Sequence, residues 1–229
     1  MSIAVNLALI TARIAAAAKA SGRKPEQVRL VAVSKTHGPG AVKEALAAGQ
    51  ILFGENYVQE AQDKIPAVGP GPSWHFIGHL QSNKAKVVAE LFDVVQSVDR
   101  LKLAKALDRR AGELGRKLGV LLQVNVGGEA QKSGCAPAEA ANLAQEVAKL
   151  EHLELTGLMT MPPFFDDPQR ARPLFAQLRE LAVRLGRDLP EGAMRHLSMG
   201  MSGDFEAAIA EGATLVRVGT AIFGQREYS

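Results

Sequence analysis

A closed (β/α)8 barrel preceded by an extra N-terminal helix is the fold this sequence predicts, and three observations predict it. Short β-rich runs alternate with longer helical stretches along nearly the whole chain. The runs number eight, and strict β/α alternation implies parallel pairing, because parallel neighbours need a crossover connection. Eight such units in a chain of 229 residues match the lower end of the barrel's usual size. The rival is an open doubly wound sheet, but "SKTHGPG" after the first strand does not supply its G-x-G-x-x-G turn. One domain, 1–229, uses up the chain.

Residues 1–22 open the chain with Ala, Leu and Ile in a density that raises the question of a signal peptide. No basic residue precedes the apolar part, however, and Ile3, Leu7, Ile10 and Ile14 recur at helical spacing, so an amphipathic helix is the better reading. The strands follow as "VRLVAVSK" (28–35), "ILFGEN" (51–56), "WHFIGH" (74–79) and "DVVQSV" (93–98). "VLLQVNV" (120–126), "LELTGLMT" (153–160), "HLSMG" (196–200) and "LVRVGTAIFG" (215–224) complete the set. Between them lie helical segments punctuated by Asp99 or Ser202 near a start and by Gly49, Gly119 or Gly212 past an end. "KIPAVGPGPS" reads as a surface loop before the third strand.

Composition narrows the function classes. At 47% hydrophobic and 22% charged the chain has ample material for a core, and no apolar run reaches the roughly 18 residues of a membrane span. Twenty-seven basic residues against 24 acidic ones leave +3 without a basic stripe, which argues against nucleic acid as a partner. Cys135 is the single cysteine, so no internal disulfide is possible and a reducing, cytoplasmic compartment is expected. The five histidines lack metal-binding spacing, so no metal is expected.

In a barrel of this kind the chemistry sits at the C-terminal ends of the strands, and Lys35 stands at one. Its apolar stem can snorkel and leave the ammonium in water. Alternatively, desolvation among strand ends lowers its pKa, and the neutral amine attacks a carbonyl to make a Schiff base. At the far end of the chain, Ser202 and Gly203 stand where "DFEAAIAEG" begins, and Gly219 and Thr220 at the exit of the eighth strand. Ser202 alone is explained by helix capping, but together these small residues favour a phosphate held by backbone N–H groups. Arg217 lies inside a strand that should be buried, so something must accept from its guanidinium, with Glu55 as the protein candidate and a ligand as the alternative. Asn56, His75, His79, Gln123, Asn125, Thr160, His196 and Ser198, taken singly, read as satisfied polar groups of the barrel, and Cys135 as a bystander.

The blocks "LVAVSKTHG", "FGENYVQEAQDK", "WHFIGHLQSNK", "LLQVNVGGEAQKSG", "LTGLMTMPP" and "LSMGMSGDFEAAIAEGATLVRVGTAIFG" together resemble the YggS/PROSC family of pyridoxal 5′-phosphate homeostasis proteins. The resemblance runs from about residue 28 to 224 and implies a barrel like the N-terminal domain of alanine racemase. It implies that Lys35 forms the Schiff base with pyridoxal 5′-phosphate, that Ser202, Gly219 and Thr220 bind its phosphate, and that Arg217 faces the pyridine nitrogen. Asn56 and His79 fall in blocks that line the cofactor pocket. An arginine at that nitrogen disfavours its proton and weakens carbanion chemistry. The racemase adds a tyrosine base from a partner's second domain, whereas here only Tyr57 and Tyr228 exist and five residues follow Gly224. The expectation is therefore a non-catalytic or nearly non-catalytic carrier that buffers the cofactor and releases it to apo-enzymes, as a monomer. An amino-acid racemase using His37, His79 or His196 as base is the second reading, and a Schiff-base aldolase acting on a sugar phosphate the third.

Overall fold

The computed structural model describes residues 2–129 and 131–224. Eight parallel strands close into a barrel in chain order, and β1 completes it by pairing with β8 through Val31 opposite Arg217. The strands are β1 (Arg29–Val33), β2 (Leu52–Glu55), β3 (Ser73–Phe76) and β4 (Val94–Val98), then β5 (Leu118–Gln123), β6 (Leu153–Met159), β7 (His196–Ser198) and β8 (Leu215–Val218). Helices α2 (Pro39–Ala47), α3 (Val58–Val68), α4 (Ala85–Leu91), α5 (Leu101–Glu113), α6 (Ala140–Ala148), α7 (Arg172–Leu185) and α8 (Phe205–Ala210) alternate with them. This is the predicted fold, with each strand shorter than the run that predicted it.

Helix α1 (Ile3–Ala20) precedes the barrel. Its length and composition would let it cross a membrane, yet Leu7, Ile10, Ile14 and Ala18 are buried in the main hydrophobic core. Asn6 Nδ2 donates to the carbonyl of Ile222 at 2.9 Å, and Arg13 pairs with Glu206 on α8. The helical period of the first 20 residues is thus a docking stripe.

Two boundaries differ from the sequence reading. Helix α3 runs on through Pro66 and stops at Gly69, where φ is +87°, so the surface loop is confined to 69–72, just before β3. A proline near the last turn costs little there, since the carbonyl it leaves unpaired can face water. The run 215–224 is not one strand: β8 ends at Val218, and Gly219 leads into the short helix α9 (Thr220–Phe223).

The pleat sorts residues between two cores. Val31, Leu52, Leu121, Met159 and Leu215 form a small cluster apart from the larger one that unites barrel and helices. Leu215 and Arg217 share one face of β8 and Leu52 and Gly54 one face of β2, while Glu55 has the opposite parity and meets Lys64 of α3 at 2.7 Å. Glu55 is therefore not the acceptor for Arg217. The two side chains lie on opposite faces of the sheet.

Candidate functional site

Lys35, Asn56, Ser202, Arg217, Gly219 and Thr220 line one cavity of about 190 Å3 at the strand exits. Val33, Ile77, Met161 and Met201 add apolar surface to it, and Thr36, His37 and Gly224 complete the lining. Lys35 and Arg217 bring two basic groups to this lining, and none of the described lining residues is a carboxylate. Such a site favours an anion with an apolar body.

Lys35 has the parity of Val31 and Val33 and reaches the cavity two residues beyond the end of β1. A tight turn carries it: the His37 N–H donates to Ser34 O at 3.1 Å, and Thr36 takes a left-handed φ of +68°. Lys35 is half-buried. Asn56 follows β2, where a Cβ on Gly78 would come within 2.1 Å of the Asn56 carbonyl, so only glycine lets these two exits approach so closely. The Asn56 Oδ1 is buried and has no hydrogen-bond partner among the described residues.

Arg217 is 3% exposed, and burial pulls its guanidinium down to about 10, still protonated at neutral pH. Its Nη1 donates to Ser198 Oγ at 2.6 Å and its Nη2 to the Thr160 carbonyl at 2.8 Å. Ser198 Oγ then donates to Gln96 Oε1 at 2.6 Å, which turns Gln96 Nε2 towards His75 Nδ1 at 2.7 Å. Because arginine can only donate, the polarity of this chain is set from Arg217 inwards, and His75 must accept on Nδ1. Two named bonds leave further guanidinium N–H groups for the cavity.

The segment 201–204 is fixed from both ends. Asp204 Oδ1 accepts from the Met201 N–H at 2.6 Å, and the Asp204 N–H donates back to Met201 O at 3.1 Å. Among the described residues, no acceptor takes the backbone N–H of Ser202 or Gly203. Across the cavity, a Cβ on Gly219 would stand 3.0 Å from the Val33 carbonyl, so a glycine lets β8 leave the barrel hard against β1. Thr220 begins α9, whose first N–H groups have no intrahelical partner. Backbone N–H groups left open in this way are donors of the kind that suit an anion.

Other residues singled out lie elsewhere. His79 is exposed and 2.9 Å from Ser133 Oγ through Nδ1, outside the cavity lining. His196 opens β7, at the far end from the strand exits, with Thr214 Oγ1 as neighbour. Gln123, Asn125 and Thr160 donate to Ser133 O, Glu129 O and Val124 O, so they are satisfied barrel groups as expected. Burial pushes the Cys135 thiol up to about 11, which keeps it an unreactive thiol at neutral pH. Tyr228 lies outside the described residues. Sequence reading missed Gln96, whose signal was an amide inside the apolar run "DVVQSV", and the two methionines after strands six and seven.

His75 is driven down to about 3, first by burial and then by Arg29 and His196. The folded chain thus stays unprotonated at His75 where the unfolded chain already binds a proton, below about pH 6.5. Its contribution to stability is complete above that pH and is lost as pH falls towards 3. In this window the wild type is expected to lose stability more steeply than His75→Asn, by about 1.4 kcal/mol per pH unit. Urea unfolding at several pH values measures the difference, and parallel curves would contradict it.

Residues 5–227 match the alanine racemase N-terminal domain family. A pyridoxal phosphate homeostasis protein from Pseudomonas aeruginosa is 51% identical over 99% of this chain and 97% of its own length. The chain belongs to the pyridoxal phosphate homeostasis protein family. A further family member, from Escherichia coli, is 49% identical over 99% of this chain and 98% of its own. The structure of PipY from Synechococcus elongatus with pyridoxal phosphate bound superposes with a TM-score of 0.86 at 41% identity, covering 97% of this chain and all of that one. Alanine racemase from Corynebacterium glutamicum, at 19% identity and a TM-score of 0.73, shares the fold over 97% of this chain and 61% of its own. The homeostasis family therefore uses the racemase barrel, as the sequence blocks implied.

Proposed function

We propose that this protein binds pyridoxal 5′-phosphate reversibly and serves to carry and buffer it. The observation that carries this reading is the meeting of an amine, a buried guanidinium and backbone N–H groups that no described acceptor takes, around one cavity. Family membership and the bound cofactor in PipY support it. When bound, the cofactor supplies an aldehyde that condenses with amines and a ring that withdraws electrons.

Each part of the cavity has a matching role. Lys35 Nζ would hold the aldehyde carbon covalently. Ser202, Gly219 and Thr220 would bind the phosphate through their N–H groups and the two hydroxyls. Arg217, held by Ser198 and Thr160, would donate to the ring nitrogen and keep it unprotonated, which weakens the ring as an electron sink. The orphaned Asn56 Oδ1 would accept from a donor on the ligand, which ends its burial without a partner. Release to apo-enzymes follows from the reversibility of the lysine bond, in a monomer within a reducing compartment.

A racemase-like activity is the second reading, and one observation favours it: His37 lines the same cavity as Lys35 and stacks on Phe223 at 5.3 Å between ring centroids. A panel of L-amino acids incubated in deuterated water separates the two. The carrier is expected to exchange α-protons no faster than free cofactor, and enzyme-dependent exchange that His37→Ala abolishes would establish the racemase reading instead.

A further inference from the structure

Helix α3 sends two side chains, one turn apart, to the peptide groups on either side of Lys35. Lys64 Nζ donates to the carbonyl of Ser34 at 2.8 Å. Glu60 Oε2 accepts from the backbone N–H of Thr36 at 2.8 Å. The two side chains meet each other, Nζ to Oε2, at 3.7 Å. Lys64 is 5% exposed and anchored on Glu55 Oε1 at 2.7 Å, and that oxygen also takes the Ser34 hydroxyl at 2.6 Å. The first of these peptide units enters Lys35 and the second leaves it, so both ends of its backbone are tied to one helix.

The turn needs such a tie. Thr36 is the one described non-glycine residue with a left-handed φ, and a β-branched residue keeps that conformation only where its surroundings impose it. The Glu60 carboxylate accepts the N–H that this conformation turns outward from the barrel. Burying Lys64 and Glu55 together between sheet and helix is costly for packing alone, and the pair is spent on a backbone carbonyl beside the cavity.

We propose that Glu60 and Lys64 are positioning residues, clamping the two peptide planes that flank Lys35 so that its Nζ is aimed into the cavity. This rests on the reading of Lys35 as the amine that binds pyridoxal phosphate. Fixing the direction of the Cα–Cβ bond at the root of a flexible side chain raises the fraction of conformers that can reach an aldehyde held by its phosphate.

The test uses the full chain and two substitutions at Glu60, whose side chain is 35% exposed and therefore not a core element. Glu60→Ala removes the acceptor for Thr36, whereas Glu60→Gln keeps an acceptor oxygen. Without cofactor, the Thr36 amide of Glu60→Ala is expected to exchange with solvent on the order of tenfold faster than in the wild type, the worth of about one charge-assisted hydrogen bond. With pyridoxal phosphate added, borohydride-trapped attachment at Lys35 slows by on the order of tenfold in Glu60→Ala, and Glu60→Gln restores it to within about threefold. Lys64→Met is read by the same two measurements below its melting temperature and is expected to slow attachment at least as much. Wild-type attachment and Thr36 exchange in Glu60→Ala, or no rescue by Glu60→Gln, overturn the clamp. A wild type that attaches nothing at Lys35 overturns the functional reading instead, and Thr36 exchange still judges the clamp.

Discussion

Lys35→Ala is expected to bind pyridoxal phosphate on the order of a hundredfold more weakly than the wild type, about 2.8 kcal/mol, and to show no visible absorbance band. The cause is local. The N–H cradle and Arg217 remain in this variant, so phosphate and ring keep their contacts and weak binding persists. What disappears is the one primary amine among the described lining residues able to bond the aldehyde carbon. The side chain is half-buried at a cavity wall, so its truncation should leave the stability of the unliganded protein within about 0.5 kcal/mol. Spectroscopic titration checks the first statement and urea unfolding the second. An unaltered absorbance band would remove Lys35 from the site.

Arg217→Met separates function from stability in the opposite sense. The guanidinium is buried, and no described carboxylate makes a salt bridge with it, so among the described residues its desolvation is offset by Ser198 Oγ, the Thr160 carbonyl and the more distant charge of Asp204. A methionine fills similar space without that charge. The unliganded variant should therefore be as stable as the wild type or more so, while its affinity for pyridoxal phosphate falls roughly ten- to a hundredfold with the loss of a charged donor. The thermal shift produced by the cofactor should shrink accordingly. A destabilised variant with unchanged affinity would mean that Arg217 is structural, a polar strut of the barrel and no part of a ligand site.

The difference between what was legible in the sequence and what was not comes from range. Helical and strand periods are local, so the eight alternating units and the docking stripe of α1 could be read directly, as could the small residues at 202–203 and 219–220. Register is not local. Whether Arg217 faces Glu55 depends on which side of the pleat each occupies across β1, β2 and β8, and the parities place Glu55 outside with Lys64. The Gln96 relay between His75 and Ser198 likewise needs three strands in alignment, which no single run of sequence specifies. The clamp of Glu60 and Lys64 on the Ser34–Thr36 turn depends on how α3 seats against the sheet, so a helical charge pair hid a contact to the backbone beside Lys35. His79 shows the converse: its sequence block borders the site, yet its ring turns to Ser133.

If one cavity presents Lys35 as the covalent anchor for pyridoxal phosphate, the modified residue can be mapped. The purified chain is incubated with the cofactor, reduced with borohydride, digested and analysed by mass spectrometry. A phosphopyridoxyl group is expected on the peptide containing Lys35, at close to one per chain and absent when inorganic phosphate or a non-reducible cofactor analogue occupies the site beforehand. Labelling spread over surface lysines such as Lys19, Lys102 and Lys117, with Lys35 unmodified, would contradict it.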